Sequence, residues 1–346
     1  MALLFCDGFD HYETADVLRK WTAHAGSTPV FGGDTVISIR PIYARAPGGQ
    51  GYRFGGATNS RYLKKTLAAN YATLIYGFNW YPESIAAQRF AAFVDGGTSQ
   101  VELAMDASGH LLFTRAGATL ATSTNVFSAA TWYHIECKAT IHNSAGAYEV
   151  RVNGSATGWI PAASGADTTS TANAYANEVW LGGISTNIPV RFDDAYVLDT
   201  SGAVAADFIG PQKIYTAYPS GAGNSAQWAG NYASNFANVN ETLGDGDATF
   251  NQDATAGHID LFAVDDVPAG TIAAVQHVLL ARQDAGAQRT IRPKTRISST
   301  NYSGTTVNTA GSYLYVLEPA SVSPATSVAW TDSELAAAEF GYELVS

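Results

Sequence analysis

Trp132-Tyr-His-Ile-Glu-Cys-Lys138, a short gap, then Tyr148-Glu-Val-Arg-Val-Asn-Gly154 decides the fold class. Apolar and polar residues alternate in both runs, the period of a strand with one buried face. The second run ends on Asn153-Gly154, a dipeptide suited to a two-residue hairpin because both residues tolerate positive φ. The same period of two recurs outward in both directions. Upstream lie Val36–Arg40, Thr73–Trp80, Arg89–Val94, Gln100–Met105 and His110–Thr114, separated by Asp95-Gly-Gly, Ser108-Gly109 and Ala116-Gly117. Downstream lie Glu178–Leu181 and Val190–Val197. Many short strands at this spacing predict an antiparallel sandwich or jelly roll. Helical pattern is scarce: Asp332–Phe340 carries a Thr/Asp start and good helix formers, and Asp16–Trp21 reads as a single turn.

Composition narrows the function classes. Among 346 residues, 19 are Lys or Arg and 30 are Asp or Glu, for a net charge of −11. Charged residues make up only 14%, so polarity comes from Ser, Thr, Asn and 33 glycines. High aromatic and β-branched content excludes a disordered chain. The acidic excess argues against a nucleic-acid-binding face, and no apolar run reaches membrane-span length. Met1–Phe5 lacks the basic flank and apolar length of a secretory signal, so synthesis in a cytoplasm without encoded export is expected. Cys6 and Cys137 stand far apart and form no zinc motif or disulfide framework.

A turn-rich stretch near 200–222, with Gly210-Pro211 and Pro219-Ser-Gly-Ala-Gly223, predicts a boundary. The expected units are residues 1–205, a jelly-roll domain, and 206–346, a smaller β-sandwich with a short C-terminal helix. Lys213–Tyr218 is read as the strand that opens the second unit, followed by His258–Val264, Ile272–Ala281, Thr295–Ile297 and Ser312–Leu317.

The Trp132–Glu136 strand, Gly146 and the Tyr148–Gly154 run resemble the back strands of laminin-G and concanavalin A-like jelly rolls. Phe5-Cys-Asp-Gly-Phe-Asp10 with Trp21, and Leu181-Gly-Gly183 leading to Phe192–Asp199, resemble the first and last strands of that fold. The combination also resembles a class of tailed-bacteriophage virion proteins. These pair an Asp-Gly-Phe-Asp opening and a Phe-Asp-Asp strand with a C-terminal β domain. Here that domain closes with Glu318-Pro319, Ala329-Trp-Thr331 and Phe340-Gly341, Glu replacing the usual Asp before Pro. The resemblance implies a non-enzymatic virion structural protein, a tail-tip or fibre component. It implies homo-oligomers that contact other virion proteins and attach to host-surface glycan. A free lectin-like module and a head decoration protein are the alternatives.

Catalytic patterns are sparse. Glu102 and Asp106 fall at i and i+4 of one strand, but Ala104 stands between them and an extended chain sets them about 13 Å apart. The seven histidines show no metal-binding spacing, and no nucleophile elbow is present. The doublets Gly32-Gly33, Gly48-Gly49, Gly55-Gly56 and Gly96-Gly97 read as turns, not phosphate loops.

Aromatic residues are the candidate glycan binders, because sugar C–H faces dock on rings. They are Trp80 and Tyr81 before Pro82, Trp159 in the loop after Asn153-Gly154, and Tyr175, with Trp80 and Trp132 competing as sandwich core. Asp245, Asp247 and Asp253, with Asn251, space oxygen ligands as a calcium loop does, against the reading of an ordinary polar turn. No other cofactor is suggested. If first and last strands pair, Asp7 and Asp10 meet Asp193-Asp194, and their repulsion calls for a cation or Arg191. Strand alternation admits only one of Asp193 and Asp194 to such a cluster.

Overall fold

In the computed structural model, which describes residues 2–25, 37–55, 61–184, 188–284 and 286–346, the deciding stretch is a strand ladder. Tyr133–Thr140 pairs with Gly146–Val152 on one side and with Thr73–Pro82 on the other. Asn153 and Gly154 take φ values of 52° and 83° and turn the chain into the strand Ser155–Ala166. The Asn153 carboxamide oxygen also accepts the His134 N–H at 2.9 Å, locking the hairpin to its neighbour.

The chain is all-β, with a short helix near its C-terminus, and divides into two units. The larger comprises Cys6–Ser201 and Ala206–Ile214, the smaller Met1–Phe5, Gly202–Ala205 and Tyr215–Ser346. In the larger unit a first antiparallel sheet runs Ser155–Ala166, Gly146–Val152, Tyr133–Thr140, Thr73–Pro82, Val190–Leu198, Gly51–Phe54, Ile37–Arg40. A second runs Ala118–Val126, His110–Arg115, Thr98–Met105, Gln88–Asp95, Ala176–Gly183, Arg61–Tyr71, Ala23–His24. Gly96 and Gly97, both at positive φ, make the tight turn between Gln88–Asp95 and Thr98–Met105. Val36, Gly32-Gly33 and Gly56 lie outside the described residues.

Alternation along Thr73–Pro82 sends Tyr76, Phe78 and Trp80 inward to meet rings of the second sheet. Trp80 stacks on Phe90 at 4.3 Å between centroids, and Phe78–Phe90 and Tyr76–Phe93 meet edge to face at 6.2 Å. A fully buried side chain of this size contributes about 1.5–3 kcal/mol, so these rings dominate the sandwich.

Ala206–Ile214 packs with the larger unit, not with the second unit as its sequence position suggested. The reason is electrostatic. Glu136, fully buried on the outer face of the first sheet, accepts the N–H groups of Ile209 and Gly210 at 2.9 Å each and the Tyr196 hydroxyl at 2.8 Å. Arg151 lies 4.0 Å from the Phe208 ring centroid. The segment is thus a strap across that face. Lys213–Tyr218 is not a strand, because the Ile214 N–H goes to the Asp194 carboxylate instead of to a ladder partner.

The smaller unit packs a six-stranded sheet against a two-stranded one, Val275–Ala281 with Leu314–Ala320. The larger sheet orders Pro219–Ala226, Ile259–Val264, Glu339–Leu344, Thr290–Ile297 and Thr300–Ser303, with Val307–Asn308 also on Thr290–Ile297. Ile297, Trp330 and Ala338 form its core cluster with Val275, Leu335 and Phe340 packed around. The predicted helix is shorter than expected: Thr331 caps Asp332–Ala337, and Glu339 and Phe340 already belong to a central strand. Gly341 is required there, since a Cβ would come within 1.9 Å of the Asp260 carbonyl oxygen.

Candidate functional site

The four aromatic candidates do not converge. Trp80 is fully buried in the sandwich and is core, not a sugar platform. Trp159 lies on the strand Ser155–Ala166, not in a loop, and closes one end of the core against Phe127 at 4.7 Å and Tyr133 at 6.3 Å. Tyr81 points outward from the first sheet, 5.3 Å from Trp132 and with the Arg191 guanidinium 4.8 Å from its ring centroid. That guanidinium and Arg53 both bind Glu83 at 2.8 Å, so the polar groups beside Tyr81 are already matched. Tyr175 is half-buried elsewhere, its carbonyl accepting from Gln100 at 3.0 Å.

The three aspartates of the calcium reading are separated by their own donors. Asp245 accepts the Thr249 N–H and hydroxyl, Asp247 binds Arg282 and the Tyr313 hydroxyl, and Asp253 binds His258 at 2.7 Å. Each closes a local turn or ion pair. Among the described residues no three His, Cys, Asp or Glu side chains are placed to hold a metal ion.

Asp7 of the opening motif and both aspartates of the Phe-Asp-Asp motif are interior struts, while the half-buried Asp10 accepts the Gln50 N–H. Asp7 is fully buried and accepts from the Phe9 N–H, the Tyr12 hydroxyl, the Trp21 indole and the Lys20 ammonium, the last at 3.0 Å. Burial works against its charge, yet Lys20, His11 and these donors hold its carboxyl below the ordinary range. Asp193 and Asp194 are both fully buried, contrary to the alternation argument. A bulge explains it: Asp194 adopts φ 50°, and pairing skips from Asp193–Asn79 to Tyr196–Gly77. The cations that answer the charge are Arg45 at 3.0 Å and Lys213 at 3.2 Å from Asp194, not Arg191. Burial first, then Asp194, pushes the Asp193 carboxyl up to about 7. Burial likewise pushes Asp10 up to about 6.

One outer face carries chemistry that the sequence reading did not assemble. Cross-strand register places Lys64, Trp180, Ala92, Glu102 and Thr114 in one row over five strands of the second sheet. Tyr62, next to Gly182 in the adjoining row, stacks on Trp180 at 4.4 Å. The Lys64 ammonium lies 5.0 Å from the Trp180 centroid and 5.6 Å from that of Tyr62. Glu102 is almost fully buried and is held by Arg89 Nη1 through both oxygens, at 2.8 and 2.9 Å, and by the Ser99 hydroxyl at 2.8 Å. The Arg89 side chain is 40% exposed, so the rest of its guanidinium faces outward. Glu178 accepts the Trp180 indole N–H and the Thr66 hydroxyl. Burial, with Glu178 next, raises the Tyr62 phenol, keeping it a neutral donor. Ala92 separates Trp180 from Glu102, and all three are buried, so the partly exposed groups of this region are Tyr62, Lys64 and Arg89. The Tyr62 ring, backed by Trp180, can stack a sugar, with Lys64 and Arg89 able to bond its polar groups. The alternation Tyr62-Leu-Lys64 was the signal available in sequence, with Leu63 buried beneath.

No family model and no curated protein matches the chain. Solved structures resemble it distantly. A sialidase aligns with TM-score 0.36 and 13% identity over 52% of this chain, spanning only 19% of the sialidase. A mutant alginate lyase, Aly36B, with alginate tetrasaccharide aligns with TM-score 0.36 and 10% identity, covering 54% of this chain and 91% of the lyase. Domain 4 of AbnA, an extracellular arabinanase from Geobacillus stearothermophilus, aligns with TM-score 0.35 and 12% identity over 57% of this chain and 93% of the domain. At such scores none of them bears on function.

Proposed function

We propose that this chain is a non-enzymatic structural protein of a tailed-phage virion, of tail-tip or fibre type, whose larger unit holds host-surface glycan. The observation that carries the glycan reading is the cross-strand row on the second sheet, with the Tyr62–Trp180 stack at one end and the Arg89–Glu102 pair further along. Holding is favoured over cleaving because Glu102 is tied down by Arg89 and Ser99. A general acid or nucleophile needs a carboxyl free to exchange protons or attack.

The virion reading rests on the motif resemblance. Its residues Asp7, Asp193 and Asp194 are interior struts and the half-buried Asp10 holds the Gln50 N–H, in keeping with a structural role. The smaller unit supports the assembly part. In its two-stranded sheet Val278, Leu280, Leu317 and Tyr315 share one face and are all only half-buried, an apolar surface that copies of the chain or neighbouring virion proteins would cover.

Two measurements test this. Immunogold labelling of intact virus particles is expected to mark the tail tip or fibres; labelling absent from particles refutes the virion reading. An array of bacterial surface polysaccharides is expected to show binding that Tyr62→Ala removes; binding unaffected by that change refutes the placement of the site.

A further inference from the structure

Lys64 is set apart from the other cations of this face. The chain carries more acidic than basic residues, 30 against 19, and its cations are commonly matched to carboxylates. Glu83 takes both Arg53 and Arg191, Glu343 takes both Arg292 and Lys294, and Glu102 takes Arg89. The Lys64 ammonium meets rings instead of a carboxylate, although Glu178 sits on the neighbouring strand. Glu178 is itself spent on the Trp180 indole and Thr66. A cation over an aromatic face keeps its full charge and gains only modest stabilisation. Among the described residues Lys64 thus stands at the edge of the ring pair as a charge without a counter-ion.

We propose that the glycan held on this face is acidic: a carboxylate-bearing sugar stacks on Tyr62, its carboxylate pairs with the Lys64 ammonium, and the outward N–H groups of Arg89 donate to it or to the hydroxyls of the next sugar. This rests on the glycan reading above and deepens it. Tyr62, backed by the buried Trp180, supplies the ring contact, while Lys64 supplies selection by charge. Arg89 stays partly neutralised by Glu102, which leaves Lys64 as the discriminating group. Because Lys64 is half-exposed, its contribution is modest per sugar and sensitive to salt.

The test uses the whole purified chain on an array of acidic and neutral bacterial surface polysaccharides, with a carboxyl-reduced copy of every acidic polymer bound. The expected result is binding to acidic polymers that weakens on carboxyl reduction. Lys64→Met should lower affinity for the acidic form about 2- to 5-fold at low salt and leave the reduced form unchanged. Raising salt to about 1 M should abolish the difference. Tyr62→Ala should weaken both forms. Equal affinity for acidic and reduced polymers, or an unchanged preference in Lys64→Met, overturns the inference and leaves the glycan reading standing. Binding to no polymer overturns both. A thermal melt of Lys64→Met matching the parent excludes misfolding as the cause.

Discussion

Replacing Asp7 by asparagine removes one charge from a fully buried site and takes the carboxylate charge away from the Lys20 ammonium, itself only 2% exposed. Four donors converge on this carboxylate: the Phe9 N–H at 2.9 Å, the Tyr12 hydroxyl at 2.5 Å, the Trp21 indole at 2.7 Å and Lys20 at 3.0 Å. An asparagine can accept through one oxygen only, and its amide group presents protons to groups that are themselves donors. Breaking one side of a buried ion pair costs about 3–5 kcal/mol. For a unit of this size each kcal/mol moves the melting temperature by roughly 2–4 °C, so a fall of about 6–20 °C is expected. Calorimetry on Asp7→Asn, Lys20→Met and the double variant measures it. The double variant should recover at least half of the loss, because the stranded ammonium is gone. The pH dependence has a fixed sign. A carboxyl held below its unfolded value contributes stability above pH ~4 and loses it as pH falls through the folded value. A melting temperature within about 1 °C of the parent would refute the idea that the opening motif is a structural strut.

Asp193 titrates the other way: its carboxyl is pushed up to about 7 by burial and Asp194, so the folded chain binds a proton that the unfolded chain releases, and stability falls as pH rises from about 4 towards 7. Asp193→Asn is therefore expected to be more stable than the parent above pH 7, by more than about 1 kcal/mol, with the gain shrinking as pH falls and gone only below about pH 4. Glu136→Gln weakens the hold on the strap at Ile209 and Gly210, and should cost about 2–4 kcal/mol while opening Ala206–Ile214 to limited proteolysis. Trp159→Ala should lower the melting temperature through lost contact with Phe127, at about 2–4 kcal/mol, without altering glycan affinity. Millimolar calcium or a chelator should leave the melting temperature unchanged, since Asp245, Asp247 and Asp253 each serve separate donors.

Where one face of a strand is buried and the turn chemistry is strict, the sequence shows the structure. Trp132–Gly154 is legible for that reason, and so are Gln88–Asp95 and Thr98–Met105 around Gly96-Gly97. Pro219–Ala226 is not, because Gly and Ser on a sheet edge imitate a loop. Arg61–Tyr71 escapes because its second half is exposed and Lys64-Lys65 breaks the alternation, and with it went Tyr62 and Lys64. The pairing of Asp193 with Asp194 on one buried cluster needed a bulge, a backbone event with no local sequence signature beyond two aspartates. The strap is held by Glu136, more than 60 residues upstream, a dependence that no window of sequence displays. Trp80 and Tyr81 differ only in phase, and phase alone makes one core and the other surface.

Holding without breaking is tested most directly by mixing the purified chain with an acidic polysaccharide that it binds and following polymer length and bound fraction together by size-exclusion chromatography with light scattering. The expected result is a complex from which polymer of undiminished length is recovered after prolonged incubation, the complex lost in Tyr62→Ala. Progressive shortening of the polymer, abolished by Glu102→Gln, would contradict it.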